Sequence, residues 1–324
     1  MLDGNGRTIE YLRISVTDRC NLRCQYCMPQ DGLQLTSHRE ILRFDEISRV
    51  CQAAATLGFR KIKLTGGEPL VRLGIADLIR ELKAIDGIES VSLTTNGVLL
   101  QEQLPNLTQA GLDAVNISLD TLDARLYHEI TRVGVLEQVK EGIRATLDYP
   151  QLDTKINCVP MGLTDQNPWE LAEIARRYPI HVRYIEMMPI GLGKNHHGQS
   201  QEEMMQEIEQ RYGKLLPYDK RLGNGPCTYY EIEDFCGKIG FISAISHKFC
   251  GSCNRVRLTS QGFLKTCLQF EEGGDLKSLL RQGATTEAIA AKMDEIIRKK
   301  PLCHQFEQKK IQNENRLNMS QIGG

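Results

Sequence analysis

Strand-like and helix-like patterns alternate six times in the first 190 residues, and no other feature constrains the fold as much. Candidate strands run at 10–16, 61–65, 90–95, 114–119, 154–159 and 181–186, with helical patterns at 45–57, 75–85, 136–147 and 168–177 between them. Such alternation implies parallel strands joined by right-handed crossovers. Six units predict an α/β fold, a full or partial β/α barrel. In that array, residues just past a strand's carboxyl end face the working mouth.

The pattern changes after residue 192, where we place a boundary between a barrel domain (1–192) and a β-rich C-terminal domain (193–324). The stretch 191–200 reads as a solvated loop, because nothing at useful spacing joins His196 and His197 into a metal site. From 214 to 266 the chain is β-rich, with alternation at 228–233 and 238–246, and helical patterns follow at 276–281 and 287–298. The last stretch, 298–324, holds six Lys/Arg against two Asp/Glu and reads locally as a frayed basic tail.

Forty basic residues face forty-one acidic ones, so charge gives no sign of a nucleic-acid binder. Asp3, Arg7, Glu10 and Arg13 interrupt any N-terminal signal. No apolar run approaches the roughly 18 residues of a membrane span. A cytoplasmic protein is expected, with no membrane or nucleic-acid partner. In a reducing compartment, clustered cysteines point to metal or redox chemistry.

The eleven cysteines are clustered. Cys20, Cys24 and Cys27 follow the first strand directly, spaced C-x3-C-x2-C. A zinc ribbon or finger needs a second pair, whereas thiolates gathered in one loop suit an iron–sulfur cluster. Three protein ligands on a four-iron cube leave one iron open, the mark of a reactive site. A structural zinc with a distant fourth ligand is the alternative. Cys250, Cys253 and Cys267 form a second triad, read either as another open-iron cluster or as a zinc knuckle completed by a residue such as His247. Cys51, Cys158, Cys227, Cys236 and Cys303 read as small apolar residues.

Arg255 and Arg257 stand two apart on a candidate strand, so their side chains share a face. Guanidinium groups offer planar, bidentate donors to phosphate oxygens. Arg13, Lys63, Lys155 and Arg183 lie on other barrel strands. Several cations inside one barrel are costly without an anion, so a polyanionic substrate is expected. No Walker or dinucleotide fingerprint occurs, which leaves side chains to hold a triphosphate.

Taken in order, these motifs resemble the radical S-adenosylmethionine enzymes. The resemblance rests on C-x3-C-x2-C with Tyr26 before its last cysteine, Gly66-Gly67-Glu68-Pro69 after strand two, Thr94-Thr95-Asn96-Gly97 after strand three, and Asn116 to Asp120 over strand four. It implies a partial (β/α)6 barrel of the radical SAM type, with S-adenosylmethionine chelated by the open iron and split to a 5′-deoxyadenosyl radical. It also implies Tyr26, Gly66, Gly67, Glu68, Ser118 and Met188 as contacts to that cofactor. Within the superfamily, the second triad, Arg255-x-Arg257, the run 12–20 and the closing Ile322-Gly323-Gly324 are similar to the nucleotide-cyclising enzymes that open molybdenum cofactor biosynthesis.

That narrower resemblance implies two [4Fe-4S] clusters and GTP as substrate. The radical would remove the ribose 3′ hydrogen, and C3′ would join guanine C8 to give 3′,8-cyclo-7,8-dihydroguanosine 5′-triphosphate. The second cluster would hold the guanine. The GTP contacts implied are Arg13, Lys63, Thr94, Lys155, Arg183, Arg255 and Arg257, with Gly323 and Gly324 reaching into the active site. Lys63 departs from the family's usual Arg, keeping the charge and losing the fork. Also implied are a reductant such as a flavodoxin-type donor, transient contact with the next enzyme, cyclic pyranopterin monophosphate synthase, and a monomer or homodimer. Two rivals are a radical enzyme that modifies peptides and a non-catalytic metal or redox sensor. Motifs at successive strand ends argue against the sensor, which needs no substrate mouth.

Overall fold

Six strands of the first segment alternate apolar and polar residues, and each polar set points the same way. These strands are β1 (Tyr11–Ser15), β2 (Lys61–Thr65), β3 (Ser90–Thr95), β4 (Ala114–Ser118), β5 (Asp153–Cys158) and β6 (His181–Ile185). The computed structural model describes residues 1–34, 36–306 and 317–323. Leu12, Ile14, Ile62, Leu64, Val91, Leu93, Val115, Ile117, Ile156 and Val182 sit in the main hydrophobic core. Their sequence neighbours Arg13, Lys63, Ser92, Thr94, Asn116, Lys155, Asn157 and Arg183 line a cavity on the opposite face. Side chains on successive strand residues point to opposite faces, so a period of two produces this division. An ordinary eight-stranded barrel fills its interior with branched apolar side chains. Here the apolar face meets the helices, and the interior is polar and hollow.

The helices that cover the core are α1 (Phe44–Thr56), α2 (Ile75–Lys83), α3 (Leu100–Gln109), α4 (Ala124–Thr131), α5 (Leu136–Thr146) and α6 (Ala172–Arg177). Helix α1 buries Ile47, Val50, Cys51 and Ala54, an apolar stripe at helical spacing. At the start of α4, the Asp123 side chain accepts the Leu126 N–H at 2.7 Å, a cap worth about 1 kcal/mol.

After α7 (Gln201–Tyr212) come β7 (Leu216–Tyr218), β8 (Thr228–Glu231), β9 (Ile239–Ile242), β10 (Arg255–Leu258), β11 (Phe263–Lys265) and β12 (Gly273–Asp275). All twelve strands form one sheet, ordered β12-β11-β10-β1-β2-β3-β4-β5-β6-β9-β8-β7. Strand β10 pairs parallel with β1, and β9 pairs parallel with β6. The six expected parallel strands thus gain one more at each edge from the C-terminal segment, which shares the barrel's sheet instead of forming its own. Helices α8 (Lys277–Arg281), α9 (Thr286–Arg298) and α10 (Met319–Ile322) complete the chain, with α9 packed on α1. The frayed tail read from local sequence does not hold for its described parts, since Lys300, His304, Ser320 and Ile322 are all buried. Among the described residues, no helix is long and apolar enough to cross a membrane.

Candidate active site

The hollow interior is a cavity of about 480 Å³, and both cysteine triads line it. They lie toward opposite ends. Cys20, Cys24 and Cys27 follow β1, at the carboxyl ends of the parallel strands. Cys250 and Cys253 precede β10, which runs parallel to β1, while Cys267 follows the antiparallel β11. The second triad therefore sits at the amino ends. A five-residue strand spans roughly 13 Å, so a substrate between the triads has barrel wall along its whole length.

The first triad is tied down by polar contacts among the loops that follow β2, β3 and β4. A Cβ on Gly67 would lie 2.2 Å from the Arg19 carbonyl, so only glycine lets the loop after β2 pack against the cysteine loop. The N–H groups of Gly67 and Glu68 donate to Thr17 O and Arg19 O, each at 2.7 Å. The close approach at Gly67 is thus to the chain itself. Glu68 is buried, and its carboxylate accepts the Thr95 hydroxyl at 2.7 Å, the Asn96 N–H at 2.7 Å and the Leu70 N–H at 3.0 Å. Burial pushes the Glu68 carboxyl up to about 7 against these donors. Asn96 donates to Asn21 Oδ1 at 2.7 Å and toward Cys20 Sγ at 3.9 Å. The Tyr26 hydroxyl donates to Asp120 at 2.8 Å, and burial lifts Asp120 to about 6. Ser118 and Met188 line the same cavity.

The middle of the barrel is cationic. Arg257 pairs with Arg13, and Arg13 with Lys63, in one register row across β10, β1 and β2. Arg183 donates from Nε to Asn157 Oδ1 at 2.9 Å and from a terminal nitrogen to Asn116 Oδ1. Lys155 is paired with Asp153. Thr94 lines the wall beside Asn116. Burial, and then the charges of Arg183, Arg13 and Lys155, hold the Lys63 ammonium well below its usual range.

At the second triad, Arg255 packs over the Phe249 ring at 5.0 Å. Burial raises the Cys253 thiol, but Lys300 and Arg255 outweigh it and bring it to about 7. His247, the suggested zinc ligand, is exposed and lies 3.6 Å from Glu202, outside the cavity lining. Among the described residues, no three His, Cys, Asp or Glu side chains converge on the position of a single ion. Three half-buried thiols around open cavity at each end match a bulky thiolate-held cluster better than a zinc ion.

The C-terminal tail enters beside the first triad. Met319 and Ser320 line the cavity, and Ser320 acts on the Cys27 thiol, which burial and Cys20 push up to about 12. Arg257 donates to the Gly323 carbonyl at 2.6 Å. Gly323 has φ +79, and a Cβ there would lie 2.6 Å from Thr65 Oγ1, so a side chain is excluded on both counts. Gly324 lies outside the described residues.

The structure brings the remaining expected site residues to this one cavity. Sequence reading missed Thr95, Asn96 and Asp120 as side chains that organise the first triad. Their position at or just past the carboxyl ends of β3 and β4 was the available signal.

The Radical SAM superfamily model matches residues 14–177, and the Molybdenum Cofactor Synthesis C model matches residues 180–306. Over 328 residues, covering 100% of both chains, the sequence is 45% identical to "GTP 3′,8-cyclase" of Heliobacterium modesticaldum. It is 45% identical over 329 residues to the protein of that name from Pelotomaculum thermopropionicum, and 44% identical over 331 residues to that from Desulforamulus reducens, again with 100% of each chain covered. Among solved structures, Streptococcus suis SuiB bound to precursor peptide SuiA superposes with a TM-score of 0.60 at 16% identity, covering 91% of this chain and 66% of that one. Native anSMEcpe with bound AdoMet gives 0.57 at 15%, covering 89% and 83%. At these identities the two structures speak for the fold alone.

Proposed function

This chain belongs to the GTP 3′,8-cyclase family of radical S-adenosylmethionine enzymes, and from that membership we propose that its hollow barrel holds GTP between the two cysteine triads. It is an enzyme of molybdenum cofactor biosynthesis that joins ribose C3′ to guanine C8 of GTP, and its cofactors are S-adenosylmethionine and two [4Fe-4S] clusters. Cys20, Cys24 and Cys27 would hold the cluster that binds S-adenosylmethionine; Cys250, Cys253 and Cys267 would hold the other. When bound, the first cluster and S-adenosylmethionine supply an electron and a 5′-deoxyadenosyl radical that can take a ribose hydrogen.

The observation that carries the assignment of residues is the row of buried cations between the triads. Lys63, Lys155, Arg183 and Arg257 are buried, Arg13 is half-buried, and all five line one cavity. Cations of like sign packed in low dielectric repel, and a triphosphate relieves that cost. Arg13, Arg255 and Arg257 would grip phosphate oxygens bidentately. Lys63 and Lys155 would add point charges, and Thr94 a hydroxyl donor. With the base at the second triad, the ribose would face the first, and the triphosphate would lie against the cationic wall. Gly66, Gly67, Glu68, Tyr26, Ser118 and Met188 shape the S-adenosylmethionine site, Glu68 and Tyr26 through the loops they tie. The tail, through Gly323, would close the barrel over the substrate and exclude water. A flavodoxin-type donor would supply electrons in the cytoplasm, and the product would pass to cyclic pyranopterin monophosphate synthase.

The test is anaerobic turnover of the iron-reconstituted protein with dithionite, S-adenosylmethionine and GTP, read by mass spectrometry. Joint appearance of 5′-deoxyadenosine and a cyclised isomer of GTP is expected. Deoxyadenosine formed with GTP untouched would overturn the substrate assignment and leave the radical chemistry standing.

A further inference from the structure

The N-terminal segment meets residues 300–302 behind the second cysteine triad. Arg7 is buried and donates from Nε to Asp3 at 2.6 Å. One of its terminal nitrogens donates to Cys250 O at 2.9 Å and Leu302 O at 2.8 Å; the other donates to Pro301 O at 2.7 Å. Lys300, also buried, donates to Arg255 O at 3.1 Å and to Thr266 O. Asn5 fixes Lys300 from behind, its side-chain amide donating to Lys300 O at 2.7 Å. Every cysteine of the triad is therefore held within two residues by one of these cations. Arg7 takes the carbonyl of Cys250, and Lys300 takes carbonyls two residues after Cys253 and one before Cys267.

We propose that Arg7 and Lys300 are positioning residues that assemble the second cluster's three ligands. The inference rests on the two-cluster reading above. Thiolates from two separate segments must reach one cube, and all three cysteines lie outside the paired strands β10 and β11: Cys250 to Ser252 is a single 3₁₀ turn capped by Cys253, and Cys267 lies beyond β11. Charge gives a second reason. Among the described residues, no carboxylate pairs with Lys300, and a buried ammonium held only by carbonyls is costly. Thiolates on a cube carry net negative charge and offset that cost. Lys300 lines the cavity beside Cys250, Cys253 and Cys267, where this compensation acts.

The experiment uses K300M and R7M in the full chain, with the exposed Lys299 changed in K299M as control. Native protein and K299M should take up about eight iron atoms, as two four-iron cubes require. K300M and R7M should fall to about four, lose the second site's electron paramagnetic resonance signal, and still cleave S-adenosylmethionine. In a C20A/C24A/C27A background the same substitutions should leave almost no iron. Full iron with an unchanged second-site signal in both variants overturns the proposal. If K300M loses both clusters, K300R decides: recovery of the second cluster upholds the role, and failure to recover overturns it. Native protein that binds only one cluster sinks the two-cluster reading, and the proposal with it.

Discussion

The two cysteine triads share a cavity and a ligand count but sit in opposite electrostatic surroundings. The first is backed by the carboxyl groups of Glu68 and Asp120, both buried and both pushed up by that burial, with Arg23 donating to the Cys20 carbonyl at 2.7 Å. The second is backed by Arg7, Lys265, Lys300, Arg255 and Arg257. Added negative charge near an iron–sulfur cluster resists its reduction, and positive charge eases it. An acidic shell suits a site that must give an electron away. A cationic shell suits one that binds an electron-rich ligand beside a polyphosphate. The difference teaches that equal ligand sets on one sheet are made unequal by what lies behind them.

The sharpest way to break this division is to remove each triad in turn. C20A/C24A/C27A should abolish 5′-deoxyadenosine formation. C250A/C253A/C267A should retain it while cyclised product drops below detection. Equal loss of deoxyadenosine in both variants would mean the triads are not distinct in role. A smaller effect is expected at Arg257, which belongs to the cationic side and also holds the tail carbonyl. Ala there should weaken GTP binding by roughly 30- to 100-fold, the equivalent of about 2–3 kcal/mol for a buried charge contact. Affinity for S-adenosylmethionine should be unchanged; calorimetric titration of both ligands checks this, and parallel losses would point to misfolding.

On the acidic side, E68Q should cost about 2 kcal/mol, since an amide cannot accept from all three donors. Its pH dependence has a defined sign. The native carboxyl titrates near 7 against an ordinary value of 4.5, so the native state holds its proton longer than the unfolded chain. Stability from this group is full below about 4.5 and is lost as pH rises toward 7. Denaturant midpoints across that window should fall for the native chain and run flatter for E68Q.

Much of this was legible in sequence because the relevant signals are local. Strands Lys61–Thr65 and Ser90–Thr95 match their expected bounds, since period-two alternation ended by Gly or Asn leaves little freedom. The motifs after β2, β3 and β4 fell at strand ends for the same reason. The helix Leu100–Gln109 was missed: Pro105 inside it removes a donor and weakens the local pattern. Helix α7 was missed too, although Ser200 and Glu203 form a capping box there. What could not be read was long-range. Strands β9 and β10 join opposite edges of the barrel through pairings far apart in the chain, and that is why an expected second domain shares the first one's sheet. Arg7 and Lys300 gave no signal, because their partners are backbone carbonyls, which every sequence possesses.

The mildest expected effect lies at Lys63. Burial, with Arg183, Arg13 and Lys155 close by, lowers the Lys63 pKa well below 10.5 in the free protein. A triphosphate supplies the missing counter-charge and raises that pKa again, so binding takes up a proton. The affinity for GTP should therefore increase as pH falls between the bound and free values, by at most about tenfold per unit for one proton. Arg does not deprotonate in proteins, so K63R should bind GTP with little pH dependence over the same range. The dissociation constant Kd measured against pH for both chains decides it. A native Kd as flat as that of K63R would mean Lys63 is already charged in the empty barrel, and that the cavity tolerates its full row of cations without the substrate.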